Sequence, residues 1–225
     1  MQTIILCGGL GTRLYPITET IPKSLIEINH IPFIHHQLTL LRQQGITDIV
    51  LCLGKFGHMI EDYVKKHFPD MKIRYSYDGD VLLGTGGSIK KASNLLQDEF
   101  MIIYGDSYLD TPIIPLINQF HAHNKPMLMT IYHNNNVGDR SNISFQNGNI
   151  IYDKKNPTPD MEYIDYGLTI VKKTIFDNYT WRFNLSDVMS DYINNNEVSI
   201  FESVTTFHEI GSFAGIQEFE LFLKQ

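Results

Sequence analysis

The chain has 225 residues, 43% of them hydrophobic, enough to bury a sizeable core and to fit one large α/β domain. Its formal net charge of −7 argues against a nucleic-acid-binding surface, while a local cluster of Arg and Lys against a nucleotide remains compatible with an acidic protein. No basic-then-apolar leader opens the chain and no apolar run would span a bilayer, which predicts a soluble cytoplasmic protein with no membrane partner.

Thr3-Ile4-Ile5-Leu6-Cys7 is a short apolar run that predicts a strand, and it breaks into Gly8-Gly9-Leu10-Gly11-Thr12-Arg13-Leu14, followed by Pro16, Pro22 and Lys23. Three glycines within four positions open backbone conformations closed to other residues and leave N–H groups clear for an anion. Arg13 and Lys23 add positive charge beside that cradle, a forked donor set from one and a point charge from the other. A tight structural turn, a dinucleotide-binding turn and a Walker loop compete for the stretch. The dinucleotide motif needs a helix opening on G-x-G-x-x-G, which Pro16 and Pro22 interrupt, and the Walker loop needs G-K-[ST], which is missing. The pattern G-G-x-G-T-R-L-x-P, then P-K, resembles the sugar-phosphate nucleotidylyltransferases. That resemblance implies a nucleotide-binding set that includes Leu6, Gly8, Gly9, Gly11 and Thr12, and a catalytic pair in which Arg13 holds the β- and γ-phosphates and Lys23 the α-phosphate.

Ile31 to Gln44 carries Ile34, Leu38 and Leu41 at helical spacing and stops at Gly45. Asp48 to Leu53 reads as a buried strand, Ile60 to Phe68 as a helix with Ile60, Val64 and Phe68 on one face, and Ile73 to Tyr77 as a further strand. Strands alternating with helices of this length predict an α/β fold, Rossmann-like, with three α/β/α layers and a mostly parallel mixed central sheet. Ligands in such sheets sit outside the carboxyl ends of the strands, where the glycine loop already lies. Cys7 and Cys52 fall in the apolar strands and read as buried, reduced side chains.

Gly84-Thr85-Gly86-Gly87-Ser88-Ile89 is a second glycine cluster, preceded by Asp78-Gly79-Asp80. A helix starting near Gly86 would turn free N–H groups back toward the loop, while a plain loop with a weak cap from Thr85 or Ser88 is the competing reading. The resemblance implies that this segment closes over the nucleoside, adding Asp78, Gly84, Thr85 and Gly86 to the nucleotide set, with the acidic stretch reaching the base edge. Phe100 to Tyr104 is the most apolar strand, and it ends in Gly105-Asp106. A carboxylate at the end of a central parallel strand suits a Mg2+ site that carries substrate phosphates. The resemblance likewise makes Asp106 the first metal ligand. Asp110 is either a further ligand or the cap of the next helix.

Pro112 to Asn124 predicts that helix, with His121 and His123 pointing in different directions and solvated. Met127 to Tyr132 is a strand, His133 to Arg140 a polar loop that can fold over a sugar, and Asn142 to Phe145 with Asn149 to Asp153 a hairpin through Asn147-Gly148. The resemblance then implies a sugar-phosphate set: Asp153 on sugar hydroxyls, Lys154 on the phosphate, and Asp165 with Gly167 lining the sugar pocket. Lys155 reads as a solvated hairpin end. A helix over Leu185 to Asn194, a strand at Val198 to Phe201 and a helix over Phe213 to Leu223 complete the chain. Relatives carry Asp-x-Gly-Thr where this chain has Glu209-Ile210-Gly211-Ser212, so the implied second metal ligand is Glu209, one methylene longer than usual. No hexapeptide repeats follow, so no appended acyltransferase domain is expected.

The expectation is one domain over 1–225, with a nucleotide half at about 1–110 and a sugar-phosphate half at about 111–225. By resemblance the chain joins a sugar 1-phosphate to a nucleoside triphosphate with Mg2+, most like the single-domain heptose or hexose 1-phosphate guanylyltransferases of surface-polysaccharide synthesis. The alternatives are a uridylyl- or cytidylyltransferase acting on an amino-sugar phosphate or phosphocholine, and a non-catalytic nucleotide-sugar regulator. A monomer or small homo-oligomer is expected.

Overall fold

The computed structural model describes residues 1–79, 81–137, 139–146 and 148–224. Strand β1 (Gln2–Cys7) leads into 3-10 turns at Thr12–Leu14, Ile17–Glu19 and Lys23–Leu25, and into a short hairpin of β2 (Glu27–Ile28) and β3 (Ile31–Pro32). Then follow α1 (Phe33–Gln43), β4 (Asp48–Leu53), α2 (Gly57–His67), β5 (Lys72–Tyr77), α3 (Gly84–Lys91), β6 (Glu99–Tyr104), β7 (Ser107–Leu109) and α4 (Ile113–His123). The remainder comprises β8 (Met127–His133), β9 (Ile143–Gln146), β10 (Asn149–Tyr152), β11 (Tyr163–Lys172), α5 (Leu185–Asn194), β12 (Val198–Ser203), β13 (Phe207–Glu209) and α6 (Phe213–Phe222).

Nine strands form one sheet in the order β10-β9-β11-β6-β1-β4-β5, with β8 joining β11 to β12. Strands β5, β4, β1 and β6 run parallel, and β11 is antiparallel to β6 and β8. Alternate residues of the central strands enter two different cores, as a pleat of period two requires. Ile5, Leu51 and Ile103 pack with α1, α2 and α4, while Ile4, Val50 and Ile102 pack with α3 and α5. The three-layer α/β prediction is therefore observed. A third core of Leu14, Ile26, Ile28, Phe33, Ile210 and Phe219 seats α6 beside the first loop. Among the described residues no helix is long and apolar enough to cross a membrane.

Local departures from expectation have local causes. Ile31 and Pro32 pair back on β2, so α1 begins only at Phe33, and Gly45 at φ 79° ends it while the Ile46 N–H returns to the Leu41 carbonyl at 2.9 Å. Helix α2 starts three residues earlier than expected, at Gly57, and His133 belongs to β8 rather than to the polar loop. Asp110 is exposed and does not cap α4. That role falls to Gln44, whose side chain accepts from the Ile113 N–H at 2.9 Å and donates to the Thr111 carbonyl at 3.2 Å. Strands β9 and β10 pair as predicted, with Gly148 at φ 81°; Asn147 in their turn and Asp80 in the acidic stretch lie outside the described residues.

Candidate functional site

The carboxyl ends of β1 and β6 are locked together. Gly105 donates its N–H to the Leu6 carbonyl at 3.0 Å, and a Cβ there would stand 2.7 Å from Cys7 Sγ, so only glycine permits the approach. The buried Gln37 of α1 donates to the Tyr104 and Ser107 carbonyls at 2.9 and 2.7 Å, Ser24 donates to the Gly105 carbonyl at 3.0 Å, and Ile210 donates to the Asp106 carbonyl at 3.0 Å. With its backbone satisfied from four directions, the loop holds the Asp106 carboxylate in one place. Lys23 Nζ meets Asp106 Oδ2 at 2.5 Å, and the two side chains are 15% and 24% exposed.

Beside this pair opens a cleft of about 460 Å3, lined by Leu6, Gly8, Gly9, Asp78, Gly84 and Thr85, with Lys23 and Asp106 in its wall. Gly8 lets Asp78 lie close over the loop, since a Cβ would fall 2.6 Å from Asp78 Oδ2 and turn that carboxylate aside. Asp78 accepts from the Ser88 hydroxyl at 2.8 Å through Oδ2, while Oδ1 is buried and without a partner among the described residues. Burial pushes the Asp78 carboxyl above its ordinary value, and Ser88 and Lys91 pull it back. Gly11, Thr12 and Gly86, also expected in the nucleotide set, do not line this cleft; Gly11 instead takes φ 65° and accepts the Thr18 hydroxyl at 2.8 Å.

The second glycine cluster works differently from the expectation. Helix α3 begins at Gly84, two residues early, and the N–H groups of Gly86 and Gly87 both donate to the Phe183 carbonyl at 3.1 Å, so they are not free for an anion. A Cβ on Gly84 would lie 2.4 Å from that carbonyl oxygen, one on Gly86 2.3 Å from the Phe183 ring, and one on Gly87 2.4 Å from the Trp181 carbonyl. Close packing of residues 181–184 on the first turn of α3 thus accounts for these glycines. The Leu185 N–H donates to Thr85 Oγ1 at 2.8 Å, and Asn184, which heads α5 in a reciprocal capping box with Asp187, comes to line the cleft from the second half of the chain.

On the other side, Lys154 Nζ lies 5.4 Å over the Tyr104 ring, next to the buried Asp165. Asp165 Oδ1 accepts from the Gly167 N–H at 3.0 Å where the chain bulges, and Gly167 takes φ 86°, with a would-be Cβ 3.2 Å from the Tyr104 ring. Burial raises the Asp165 carboxyl, opposed by Lys154 and that N–H. Asp153 spends one carboxylate oxygen on its own turn, accepting from Lys155 and Asn156 N–H at 2.9 and 2.8 Å, and exposed Lys155 pairs with Asp187 at 3.0 Å.

Strand β13 pairs with β7 so that Glu209 opposes Ser107, the neighbour of Asp106. Burial first, and then the Asp106 and Asp139 charges, push Glu209 up to about 7, with Lys154 and Lys23 opposing. The fold therefore brings Glu209 within the electrostatic reach of Asp106, and Asp110 stays outside on the exposed edge. Arg13 is exposed and stands apart from Lys23: it lines a second cleft of about 400 Å3 with Glu209 and Gly211, where a Cβ on Gly211 would lie 2.8 Å from the guanidinium. Among the described residues no group of three metal-ligating side chains assembles. A cation held by Asp106 and Glu209 would complete its shell from water and phosphate oxygens, as a hard cation readily does.

Several residues that line or support the cleft escaped the sequence reading. Gln37 sits on a helix face that reads as amphipathic, and Tyr104 reads as the end of a buried strand. Asn184 carried a signal, since Asn-x-x-Asp before an apolar run is a capping box, but that pattern marks a helix start and not its landing on Gly84.

A doubly faced sheet with a glycine loop, a lysine–carboxylate pair and a cleft of about 460 Å3 at its carboxyl edge defines a nucleotide-handling α/β protein. The chain belongs to the nucleotidyl transferase family, whose pattern matches residues 2–142. It is 40% identical over 116 residues to D-glycero-alpha-D-manno-heptose 1-phosphate guanylyltransferase of Campylobacter jejuni, a match covering 52% of each chain. It is 34% identical over 127 residues to mannose-1-phosphate guanyltransferase of Kluyveromyces lactis, covering 55% of this chain and 35% of that one. The matches thus span about half or less of the length of these relatives. HddC from Yersinia pseudotuberculosis superposes with a TM-score of 0.83 at 24% identity, over 99% of both chains, and shares the fold.

Proposed function

We propose that this protein joins a sugar 1-phosphate to a nucleoside triphosphate, releasing pyrophosphate, with GTP as the nucleotide and a heptose or hexose 1-phosphate as the acceptor. The observation that carries this reading is the Lys23–Asp106 pair in the wall of the cleft, flanked by Asp78 on one side and by Lys154 and Asp165 on the other. Two relatives named as guanylyltransferases of sugar 1-phosphates favour GTP over the uridylyl and cytidylyl alternatives. The Asp78 carboxylate in the cleft wall is an acceptor for the N–H donors that guanine carries on its pairing edge.

In this reading Lys23 binds the α-phosphate, Arg13 swings from Gly211 onto the β- and γ-phosphates, and Lys154 draws the acceptor phosphate into line. An acceptor oxygen bonds to the α-phosphorus as the bond to pyrophosphate breaks. The acceptor is already ionised at neutral pH, so no side chain has to take a proton. Asp153 and Asp165 orient the sugar hydroxyls, with Gly167 shaping that wall. Asp106 and Glu209 would hold a divalent cation, Mg2+ in our reading, which offsets phosphate charge when bound. The donor chemistry fits: burial first, and then the Asp106 charge, raise the proton affinity of Glu209, and two such carboxylates would be stabilised by a hard cation. A non-catalytic regulator is less well supported, because Lys23, Asp106 and Lys154 all keep their charges at the cleft. We also assign the chain to the cytoplasm, as a monomer or small homo-oligomer.

A pyrophosphate-release screen of the four NTPs against a panel of sugar 1-phosphates tests the proposal. GTP with mannose 1-phosphate or D-glycero-alpha-D-manno-heptose 1-phosphate is the expected active pair, and no release with any combination would reject it.

A further inference from the structure

The acceptor side of the site holds a buried donor and a buried acceptor that no described residue satisfies. Tyr152 and Asp165 are each 7% exposed, and among the described residues neither the Tyr152 hydroxyl nor Asp165 Oδ2 has a hydrogen-bond partner. The sheet puts them on one face: Tyr152 opposes Ile143 across β10 and β9, Ile143 opposes Tyr163 across β9 and β11, and Asp165 follows Tyr163 by two residues. Asn142 ties the two strands at this level, its side-chain oxygen accepting from the Asp165 N–H and its carbonyl from the Asp153 N–H, both at 3.0 Å. The Asp165 carboxylate also bears on Tyr152: after burial, it is the largest influence holding the phenol above its ordinary range.

Native folds leave only a few such atoms unpaired, because burying one forfeits its bonds to water. Here two of opposite hydrogen-bonding sense share one wall, beside Lys154 and the Tyr104 ring. One alcohol group, which donates once and accepts twice, satisfies both at the same time. We propose that Tyr152 is a specificity residue that acts with Asp165 on one ring hydroxyl of the acceptor sugar, the phenol donating to the hydroxyl oxygen and the hydroxyl donating to Asp165 Oδ2. The assignment rests on the sugar 1-phosphate reading above and adds Tyr152 to it. Exposed Lys154 lies over the Tyr104 ring and its charge bears on Asp165, so the lysine that would meet the acceptor phosphate stands beside this wall. A site built to bond a hydroxyl rejects an analogue that lacks it more strongly than an apolar pocket does, because the polar wall is then left unpaired.

Tyr152→Phe removes one oxygen and keeps the ring. With GTP saturating and mannose 1-phosphate or D-glycero-alpha-D-manno-heptose 1-phosphate as acceptor, the variant should raise the acceptor KM about tenfold, the loss of one hydrogen bond. The GTP KM should not change, and the thermal midpoint of the ligand-free protein should stay level or rise, since an unpaired buried hydroxyl has gone. Among the monodeoxy mannose 1-phosphates, one should give equal KM values for the parent and Tyr152→Phe. An unchanged acceptor KM combined with a lowered midpoint would overturn the assignment and show that Tyr152 and Asp165 simply bond each other. If the parent releases no pyrophosphate with any acceptor, it is the underlying nucleotidyl-transfer reading that has failed, and the role of Tyr152 goes with it.

Discussion

Lys23 Nζ stands 2.5 Å from Asp106 Oδ2, joining a lysine on the turn after the glycine loop to a carboxylate 83 residues later at the end of β6. The pair is largely shielded from water, so each charge fixes the other before any substrate arrives. Removing one partner therefore disturbs the site more than the fold, because the backbone around Asp106 is held independently by Gln37, Ser24, Leu6 and Ile210.

Asp106→Asn should fold with a thermal midpoint near that of the parent and lose turnover by a factor on the order of 10², the scale seen when a principal electrostatic group is removed. Rates at saturating Mg2+ measure this, and an unchanged rate would remove Asp106 from the metal role.

Lys154→Ala should weaken sugar 1-phosphate binding by about tenfold or more while nucleotide binding holds, because Lys154 lies over Tyr104 on the acceptor side and Lys23 lies in the nucleotide cleft. Calorimetry with each ligand separately decides the point. Equal losses of GTP affinity in Lys154→Ala and Lys23→Ala would erase the proposed division of the site.

The stability of the metal-free protein should fall as pH rises toward about 7. Burial and the Asp106 charge hold the Glu209 carboxyl up to about 7 in the folded chain, above the ordinary glutamate value, so the folded state binds the proton more tightly than the unfolded one. Full stability is present below the unfolded value and is lost through that window, by up to about 3 kcal/mol from this group. Urea melts at pH 5 and pH 8 should show the loss, and Glu209→Gln or added Mg2+ should reduce it. A Glu209→Gln protein with the parent's pH slope, alongside an Asp110→Asn protein with an altered Mg2+ requirement, would transfer the second ligand to Asp110.

Gly86→Ala should destabilise the protein by roughly 1–3 kcal/mol through overpacking, since the added methyl meets the Phe183 ring at 2.3 Å. Pairing it with Phe183→Ala should recover part of the loss in thermal melts. Were the glycine kept only for nucleotide contact, Gly86→Ala would weaken GTP binding at unchanged stability, and the double variant would recover nothing.

Period-two apolar runs and helical spacing are properties of neighbouring residues, so β1, β4, α5 and the layered α/β architecture could be read directly from the chain, as could the glycine loop with Lys23 and the strand-end carboxylate of Asp106. The second glycine cluster was legible as the start of a helix, two residues late, but not in its cause. That cause is the arrival of Phe183 about a hundred residues later, which occupies the N–H groups expected to face an anion. The seating of Arg13 on Gly211, the four-way support of the Asp106 loop and the unpaired Tyr152 beside Asp165 belong to the same class. Each depends on how closely distant segments approach when the sheet closes, to within a few tenths of an ångström. A local pattern determines which face a side chain takes, and only the packed structure determines what it meets there.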